Sequence, residues 1–231
     1  MMLKKLLLSA SPMLAMCVPL AAAAQDLGDK AAHIALPGIT FTRSLNGAAD
    51  DAQVIDGRLT LSSAAKRDNF RDPNGKLSSN TAPVLLSEVD NQKPFTVTAR
   101  ITPTFLETYD AGALYLWVRD DLWLKMAFEM DERRRTRMVT VRTTGTSDDN
   151  NHDVVTQRSV SMKISSDTKT VGCYYSLDDQ SWQLIKLFKN DYPQKLWLGV
   201  SAQSPMGNGM AARFDGVSLT QQSVADFRLG K

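Results

Sequence analysis

The stretch of sequence that decides the fold runs from Tyr109 to Arg142 and reads YDAGALYLWVRDDLWLKMAFEMDERRRTRMVTVR. Its side chains alternate in character with a period of two, stop at turn-like residues and then resume the alternation. Antiparallel strands that bury one face have this pattern. The stretch therefore predicts three short strands of one antiparallel sheet.

The middle strand of this stretch, residues 123–130, separates two kinds of side chain. Successive side chains of a strand point to opposite faces, so the pattern assigns one apolar face to the core. The opposite face carries an indole, an ammonium group and a carboxylate. The core-facing set is Leu124, Met126, Phe128 and Met130, and the opposite set is Trp123, Lys125, Ala127 and Glu129.

The preceding strand, residues 113–118, is apolar on both sides, which predicts that both of its faces are covered. Its Tyr115 and Trp117 share a face. If they flank the face of Trp123, Lys125 and Glu129, they form a groove with aromatic walls and a charged floor. Such a surface suits a sugar, because ring faces pack on pyranose C–H groups and charged groups bond to hydroxyls. The alternative is that Lys125 and Glu129 form an ordinary solvated pair on an outer face.

The first 24 residues have the pattern of a secretory signal peptide. Lys4 and Lys5 precede an apolar run from Leu6 to Leu20, and residues 21–24 are alanines that offer a cleavage site before residue 25. A lipoprotein signal centred on Cys17 is a weaker alternative, because a methionine precedes the cysteine where a small residue is expected. The pattern predicts an exported protein, periplasmic or extracellular, without a further membrane-spanning segment.

Charge and cysteine content exclude some classes of function. The chain has 27 Lys and Arg residues against 25 Asp and Glu residues, and removal of residues 1–24 with their two lysines leaves 25 against 25. Nothing in this balance favours nucleic acid as a partner. Cys173 is the one cysteine after residue 24, so an intramolecular disulfide is excluded and a buried apolar role is expected. No cofactor is expected, and the sequence leaves the oligomeric state open.

Short strand patterns recur along the rest of the chain with almost no helical periodicity. This recurrence predicts an all-β antiparallel sandwich or jelly roll, formed as a single domain by residues 25–231. The polar segment 66–80 is expected to be a loop that could carry binding residues, and the tail from Gln221 is expected to be a short helix or unstructured. Further strands are predicted at 39–41, 57–62, 82–89, 94–101, 159–164, 170–176, 182–187, 196–202, 210–214 and 216–219.

Two polar segments flank the third strand of the decisive stretch. Residues 131–135 predict a charged hairpin tip, whose arginines either bind an anion or are simply solvated. Residues 143–153 predict a loop whose oxygen ligands could hold calcium, but their spacing fits no EF-hand, so calcium binding stays open and no metal-binding residue is assigned. His152 has no second histidine nearby in sequence and is not assigned a role. Between these segments, Thr140 and Arg142 lie opposite Val139 and Val141 and are added to the candidate ligand-binding set.

A set of motifs spread over the chain carries a family resemblance. They are Tyr109-Asp110-Ala111-Gly112, Trp123-Leu124-Lys125, Glu129, Val139-Thr140, Ser147-Asp148, residues 175–182, Ser204-Pro205 and Phe214. Together they resemble a bacterial and fungal domain family of unknown function, described as regulation-of-enolase-like, with a concanavalin A-like lectin/glucanase fold. The resemblance covers roughly residues 94–219 and, less clearly, everything from Phe41. It implies that Asp110 and Asp148 join Trp123, Lys125 and Glu129 in forming a site. Two positions depart from the family pattern: Asp179 replaces a common glycine, and no tryptophan follows Asp148.

These observations favour a non-catalytic carbohydrate-binding domain and leave two alternatives open. The first alternative is a glycoside hydrolase or lyase with Glu129 as the acid or base, since Glu129-Met130-Asp131 begins a glucanase-like Glu-x-Asp-x-x-Glu signature. Arg134 stands where the second glutamate belongs, so another acid such as Asp110 or Asp148 would have to replace it. The second alternative is a protein-interaction domain of the cell envelope that binds no small ligand.

Overall fold

The computed structural model describes residues 29–231, so the predicted signal peptide and Cys17 lie outside the described residues. The described residues form strands, turns and irregular segments without a helix, which confirms the predicted all-β class. The strands are β1 (Asp29–Leu36), β2 (Ile39–Leu45), β3 (Ala52–Ile55), β4 (Arg58–Ala64), β5 (Asn69–Arg71), β6 (Ser78–Asn80), β7 (Val84–Asp90), β8 (Phe95–Pro103), β9 (Ala111–Arg119), β10 (Leu122–Met130), β11 (Thr136–Thr144), β12 (Thr146–Val154), β13 (Val160–Ser166), β14 (Thr170–Ser176), β15 (Gln183–Lys189), β16 (Lys195–Gln203) and β17 (Gly209–Thr220).

Two antiparallel sheets pack face to face as a sandwich. The larger sheet has eight strands in the order β1-β2-β7-β16-β9-β10-β11-β12, and the smaller has seven in the order β15-β14-β13-β8-β17-β4-β3. The main hydrophobic core lies between them and draws on the inward side chains of both sheets. Strand β8 shows the alternation most clearly, since Phe95, Val97, Ala99 and Ile101 are fully buried and the residues between them are not.

The decisive stretch forms three neighbouring strands of the eight-stranded sheet, as its alternation predicts. Strand β10 pairs with β9 on one side and with β11 on the other, and the predicted tip at residues 131–135 joins β10 to β11. Asp131 is buried within this tip, where it accepts hydrogen bonds from the backbone N–H groups of Arg133 and Arg135 at 2.9 Å. Although burial opposes ionisation of Asp131, these bonds lower the pKa of its carboxyl group.

The prediction of a loop at residues 143–153 is wrong. Residues 146–154 form β12, which pairs with β11 along its length and is the edge strand of the larger sheet. Asp, Asn and Ser have low strand propensity, but the backbone hydrogen bonds to β11 outweigh it. Gly145 supplies the connection between the two strands with φ of 75°, a conformation that glycine adopts without a steric penalty.

Three other segments differ from the sequence-based expectation. The segment 66–80 includes a two-stranded hairpin of β5 and β6, and the two strands predicted over 210–219 form one long strand with an irregularity between Asp215 and Ser218. Strands β1 and β3 were not predicted, because their sequences are only weakly periodic. The tail after β17 has no helix, but Tyr174 and Lys163 donate hydrogen bonds to backbone carbonyls of Phe227 and Gly230 and hold it against the smaller sheet.

Cys173 is fully buried between the sheets, in agreement with its predicted apolar role, and burial raises the pKa of its thiol to about 12. Within residues 29–231, no helix has the length and hydropathy needed to cross a membrane.

Candidate functional site

The outer face of the larger sheet, which points away from the smaller sheet, carries a second apolar cluster. Tyr115, Trp117 and Trp123 are its largest side chains, and the two indole rings stack at 6.4 Å with an interplanar angle of 5°. Each of these three side chains is at most 1% exposed. This burial agrees with the prediction that both faces of residues 113–118 are covered, and it excludes these three side chains as the walls of a sugar-binding groove.

The β5-β6 hairpin lies over the outer face of the larger sheet and explains this burial. Phe70 of the hairpin packs against the aromatic cluster, and the backbone N–H of Arg71 donates a 3.0 Å hydrogen bond to Ser147 Oγ. At the other side, Lys125 Nζ donates to Asn69 O at 3.0 Å and to Asp68 Oδ1 at 3.2 Å. The hairpin is thus held at both sides and divides the outer face into a covered aromatic half and an open half.

A buried polar network borders the open half. Gln203, at the end of β16, accepts a 2.9 Å hydrogen bond from Lys125 Nζ through Oε1. Its Nε2 donates to Glu129 Oε2 at 3.3 Å. Lys125 and Glu129 lie on the same face of β10, and they are 2% and 8% exposed. The solvated pair considered from sequence is excluded, because both groups are buried and Gln203 links them.

Burial and charge set the ionisation of this network. Desolvation opposes the charge on Lys125, but the nearby Asp68 carboxylate outweighs it and raises the pKa of the ammonium group. Desolvation raises the pKa of Glu129 to about 8, although Lys125 acts in the opposite direction. Lys125 therefore stays charged, while Glu129 is mostly protonated at neutral pH. A carboxyl group that holds its proton at neutral pH inside a cleft can donate it in a reaction.

A cavity of about 330 Å³ opens beside this network, a size at the lower end of the range for small-molecule sites. Its floor combines the polar network with Val139 and Val141 of β11, and its mouth includes the exposed apolar side chains of Leu77 and Met206. The lining residues are Asp68, Phe70, Leu77, Tyr109, Lys125, Glu129, Glu132, Val139, Val141, Asp149, Asn151, Gln203, Pro205 and Met206.

Tyr109 lies at the cavity in an unusual backbone conformation. Its φ is 66°, which for a residue other than glycine costs about 1 kcal/mol. Hydrogen bonds fix the conformation, since Tyr109 N–H donates to Met130 O at 2.7 Å and Gln203 Nε2 donates to Tyr109 O at 3.3 Å. Its side chain remains 38% exposed. The strain therefore places an accessible phenol ring at the cavity.

Lys125 and Glu129 are the two predicted site residues that line the cavity. The register pairs Lys125 with Val141, which puts Val139 and Val141 on the cavity side of β11. Thr140 and Arg142 consequently point between the two sheets. There, Thr140 Oγ1 lies 2.8 Å from His152 Nε2, and the Arg142 guanidinium lies 4.5 Å from the centroid of the Phe188 ring. This register therefore removes Thr140 and Arg142 from the candidate ligand-binding set.

The two acids that the family resemblance added also lie away from the cavity lining. Asp110 is fully buried and accepts hydrogen bonds from the backbone N–H groups of Leu106 and Glu107 and from the Ser204 hydroxyl at 2.6 Å. These contacts hold the loop before β9 in place. Asp148 is exposed and pairs in register with Arg142, so it lies on the opposite face of β12 from Asp149.

Most cavity residues were not singled out from sequence. Phe70 and Leu77 belong to segment 66–80, which was predicted only as a loop that could carry binding residues, and Gln203 and Met206 lie about 75 residues beyond the end of β10. Tyr109 and Pro205 were part of the motifs behind the family resemblance, which was the one signal that pointed to them. In residues 29–231, no group of three or more His, Cys, Asp and Glu side chains is arranged to hold a metal ion.

Comparison with known proteins places this architecture in a family. The sequence model of the family DUF1349, described as a protein of unknown function, matches residues 46–222. The chain belongs to this family. The match confirms the weaker part of the resemblance before residue 94 and includes the β5-β6 hairpin. No curated protein gives a significant sequence match.

Solved structures share the fold at low sequence identity. A functionally unknown protein from Saccharomyces cerevisiae is 22% identical over 78% of this chain and 96% of its own, with a TM-score of 0.71. The GH43 protein BlXynB from Bacillus licheniformis is 14% identical, covers 79% of this chain and has a TM-score of 0.61. A GH43B protein of Bacteroides ovatus is 12% identical over 85% of this chain, with a TM-score of 0.59.

The two GH43 proteins are much longer than this chain, which spans 36% and 38% of their length. At these identities the likeness shows a shared sandwich fold and nothing of the chemistry.

Proposed function

We propose that this DUF1349 protein is an exported carbohydrate-binding domain whose sugar enters the cavity on the outer face of the larger sheet. Export rests on the signal-peptide pattern of residues 1–24. The observation that carries the binding proposal is the pairing of an apolar mouth with a buried polar floor. Leu77, Tyr109 and Met206 contribute to the mouth, while Lys125, Gln203 and Glu129 form the buried network.

This arrangement suits the two-sided chemistry of a sugar ring. A pyranose presents an apolar C–H face, which would pack on Tyr109, and a rim of hydroxyls, which would bond to the polar floor. Burial makes the floor selective, because a hydroxyl that enters without a partner loses its bonds to water.

A glycan array followed by calorimetry tests the proposal. Tyr109→Gly removes the ring and also relieves the positive φ, so the variant should fold and bind a hit glycan about tenfold more weakly. Asp56→Gly is the matched control, because Asp56 also has a positive φ of 49° but lies in the turn between β3 and β4. A blank array, or a hit that Tyr109→Gly leaves unchanged, would contradict binding at this cavity. A blank array would favour an envelope protein partner instead.

One observation favours a second candidate, a glycoside hydrolase or lyase. The pKa of Glu129 is raised to about 8 by burial, as suits a general acid at neutral pH. Asp149 and Glu132 line the same cavity and could supply a second carboxylate. Mass spectrometry of each bound glycan tests this candidate. Product release that Glu129→Gln abolishes while binding persists would establish it, and intact glycan after prolonged incubation would exclude it.

A further inference from the structure

We infer that the cavity selects a sugar carrying a positively charged amino group and excludes uronic acids. The inference rests on the proposed carbohydrate-binding function and adds the charge class of the ligand.

Acidic side chains outnumber basic ones in the cavity lining. Four carboxyl groups and one ammonium group line it, namely those of Asp68, Glu129, Glu132, Asp149 and Lys125. They come from separate elements: the β5-β6 segment, β10, the β10-β11 tip and β12. The acids therefore surround the space rather than cluster on one loop.

The lone cation cannot serve an anionic ligand. Lys125 Nζ donates its three protons to Asp68 Oδ1, Asn69 O and Gln203 Oε1, at 3.2, 3.0 and 2.9 Å. Its charge is offset by the Asp68 carboxylate, and its side chain is almost wholly buried. A uronate in the cavity would meet no unpaired cationic group in the lining, and it would have to lose its hydration.

Glu129 gives the space a buried carboxyl group. Its side chain is more than nine-tenths buried, it lines the cavity, and Gln203 bonds to Oε2. Within residues 29–231, no side chain or backbone group donates to Oε1. An entering ammonium group would supply that donor and would favour the ionised form of the carboxyl group.

Most basic residues close to the mouth are already paired, and Lys66 donates a hydrogen bond to the backbone carbonyl of Met206. Arg135 and Arg137 pair with the buried Asp131, and Arg134 pairs with Glu107. The exposed Arg133 lies 3.9 Å from Glu132 and offsets part of its charge, which leaves Asp149 as the cavity carboxylate without a basic partner in this group. The pKa of the Tyr109 phenol points the same way, since it is raised by burial and then by the charges of Glu132, Glu129 and Asp149.

Calorimetry with three trisaccharides of matched length tests the inference: one of glucosamine, one of N-acetylglucosamine and one of galacturonic acid. At about pH 6 and low salt, the glucosamine trimer should bind about tenfold more tightly than the acetylated trimer. The galacturonic acid trimer should show no binding. Added salt should weaken this preference, because screening reduces the attraction between charges.

Two neighbouring variants of β12 make the test specific to the cavity. Asp149→Asn removes a cavity carboxylate and should weaken glucosamine trimer binding about fivefold. Asp148→Asn removes an adjacent carboxylate from the other face of the same strand and should leave binding unchanged. Equal effects of the two variants would overturn the inference, because they would show a general charge effect.

The outcomes separate this inference from the proposed function. Equal or tighter binding of the acetylated or galacturonic acid trimer would overturn amino-sugar selection and leave carbohydrate binding intact. If none of the three trimers binds while neutral glycans on the array do, amino-sugar selection is again overturned and carbohydrate binding stands. A blank for the trimers and for the whole array would overturn both.

Discussion

Replacement of Glu129 by glutamine should make the protein less sensitive to rising pH. Burial raises the pKa of Glu129 from its ordinary value of 4.5 to about 8, so the folded state keeps a proton that the unfolded state releases. Between these two values the unfolded state binds fewer protons than the folded state, and the free energy of unfolding falls as pH rises. Glutamine cannot ionise, and its side-chain oxygen can still accept the hydrogen bond from Gln203.

The size of the effect follows from the range over which the two states differ in protonation. Each pH unit within that range lowers the free energy of unfolding by about 1.4 kcal/mol. Between about pH 5.5 and pH 7.5, the wild-type protein should therefore lose about 3 kcal/mol relative to Glu129→Gln. Other titrating groups are common to both proteins, so their contributions cancel in this difference when they do not interact with Glu129.

Urea unfolding followed by tryptophan fluorescence, at both pH values and extrapolated linearly to water, measures the difference. Glu88→Gln, at an exposed position of β7 where Glu88 pairs with Lys195, controls for the loss of a surface carboxylate. A pH-dependent difference below about 0.5 kcal/mol, or greater stabilisation of the wild-type protein at the higher pH, would refute the assignment of a buried, protonated Glu129.

Three further variants test contacts that shape the site. Lys125→Met leaves Asp68 without its ion pair and should lower the free energy of unfolding by about 3 kcal/mol; a loss in urea unfolding under about 1 kcal/mol would contradict a structural role. Asp110→Ala removes three accepted hydrogen bonds and should lower the free energy of unfolding by about 2–3 kcal/mol. The loss should appear as a lower midpoint temperature in thermal unfolding. Gly199→Ala would place Cβ 1.8 Å from Leu85 O and should prevent accumulation of folded protein, so a soluble variant with a native-like circular dichroism spectrum would contradict the packing.

The sequence predicts which side chains face the core when the pattern of one strand is enough to show it. Alternation in β8 and β10 assigned the core side chains, and the charged tip between β10 and β11 was visible as a break in that alternation. Lys125 and Glu129 were identified for the same reason, because charged groups on a central strand depart from the usual pattern. Local periodicity is enough for such assignments, since it depends only on backbone geometry.

Features that depend on distant segments were beyond this reasoning. Periodicity placed Tyr115, Trp117 and Trp123 on one face, but it could not show that a hairpin some 40 residues earlier in the chain covers them. The register between β10 and β11, which moves Thr140 and Arg142 between the sheets, is likewise a property of two strands and not of one.

Strand β12 has a consequence for behaviour at high concentration. An edge strand presents unpaired backbone groups that can join the sheet of another molecule, and apolar edges promote aggregation by this route. Here the edge carries Asp148, Asp149 and Asp153 among serine and asparagine residues. If a second copy paired with this edge, carboxylates of the two β12 strands would lie close together and repel each other. The same polar composition that disguised this strand in the sequence therefore protects the open end of the larger sheet from edge-to-edge association.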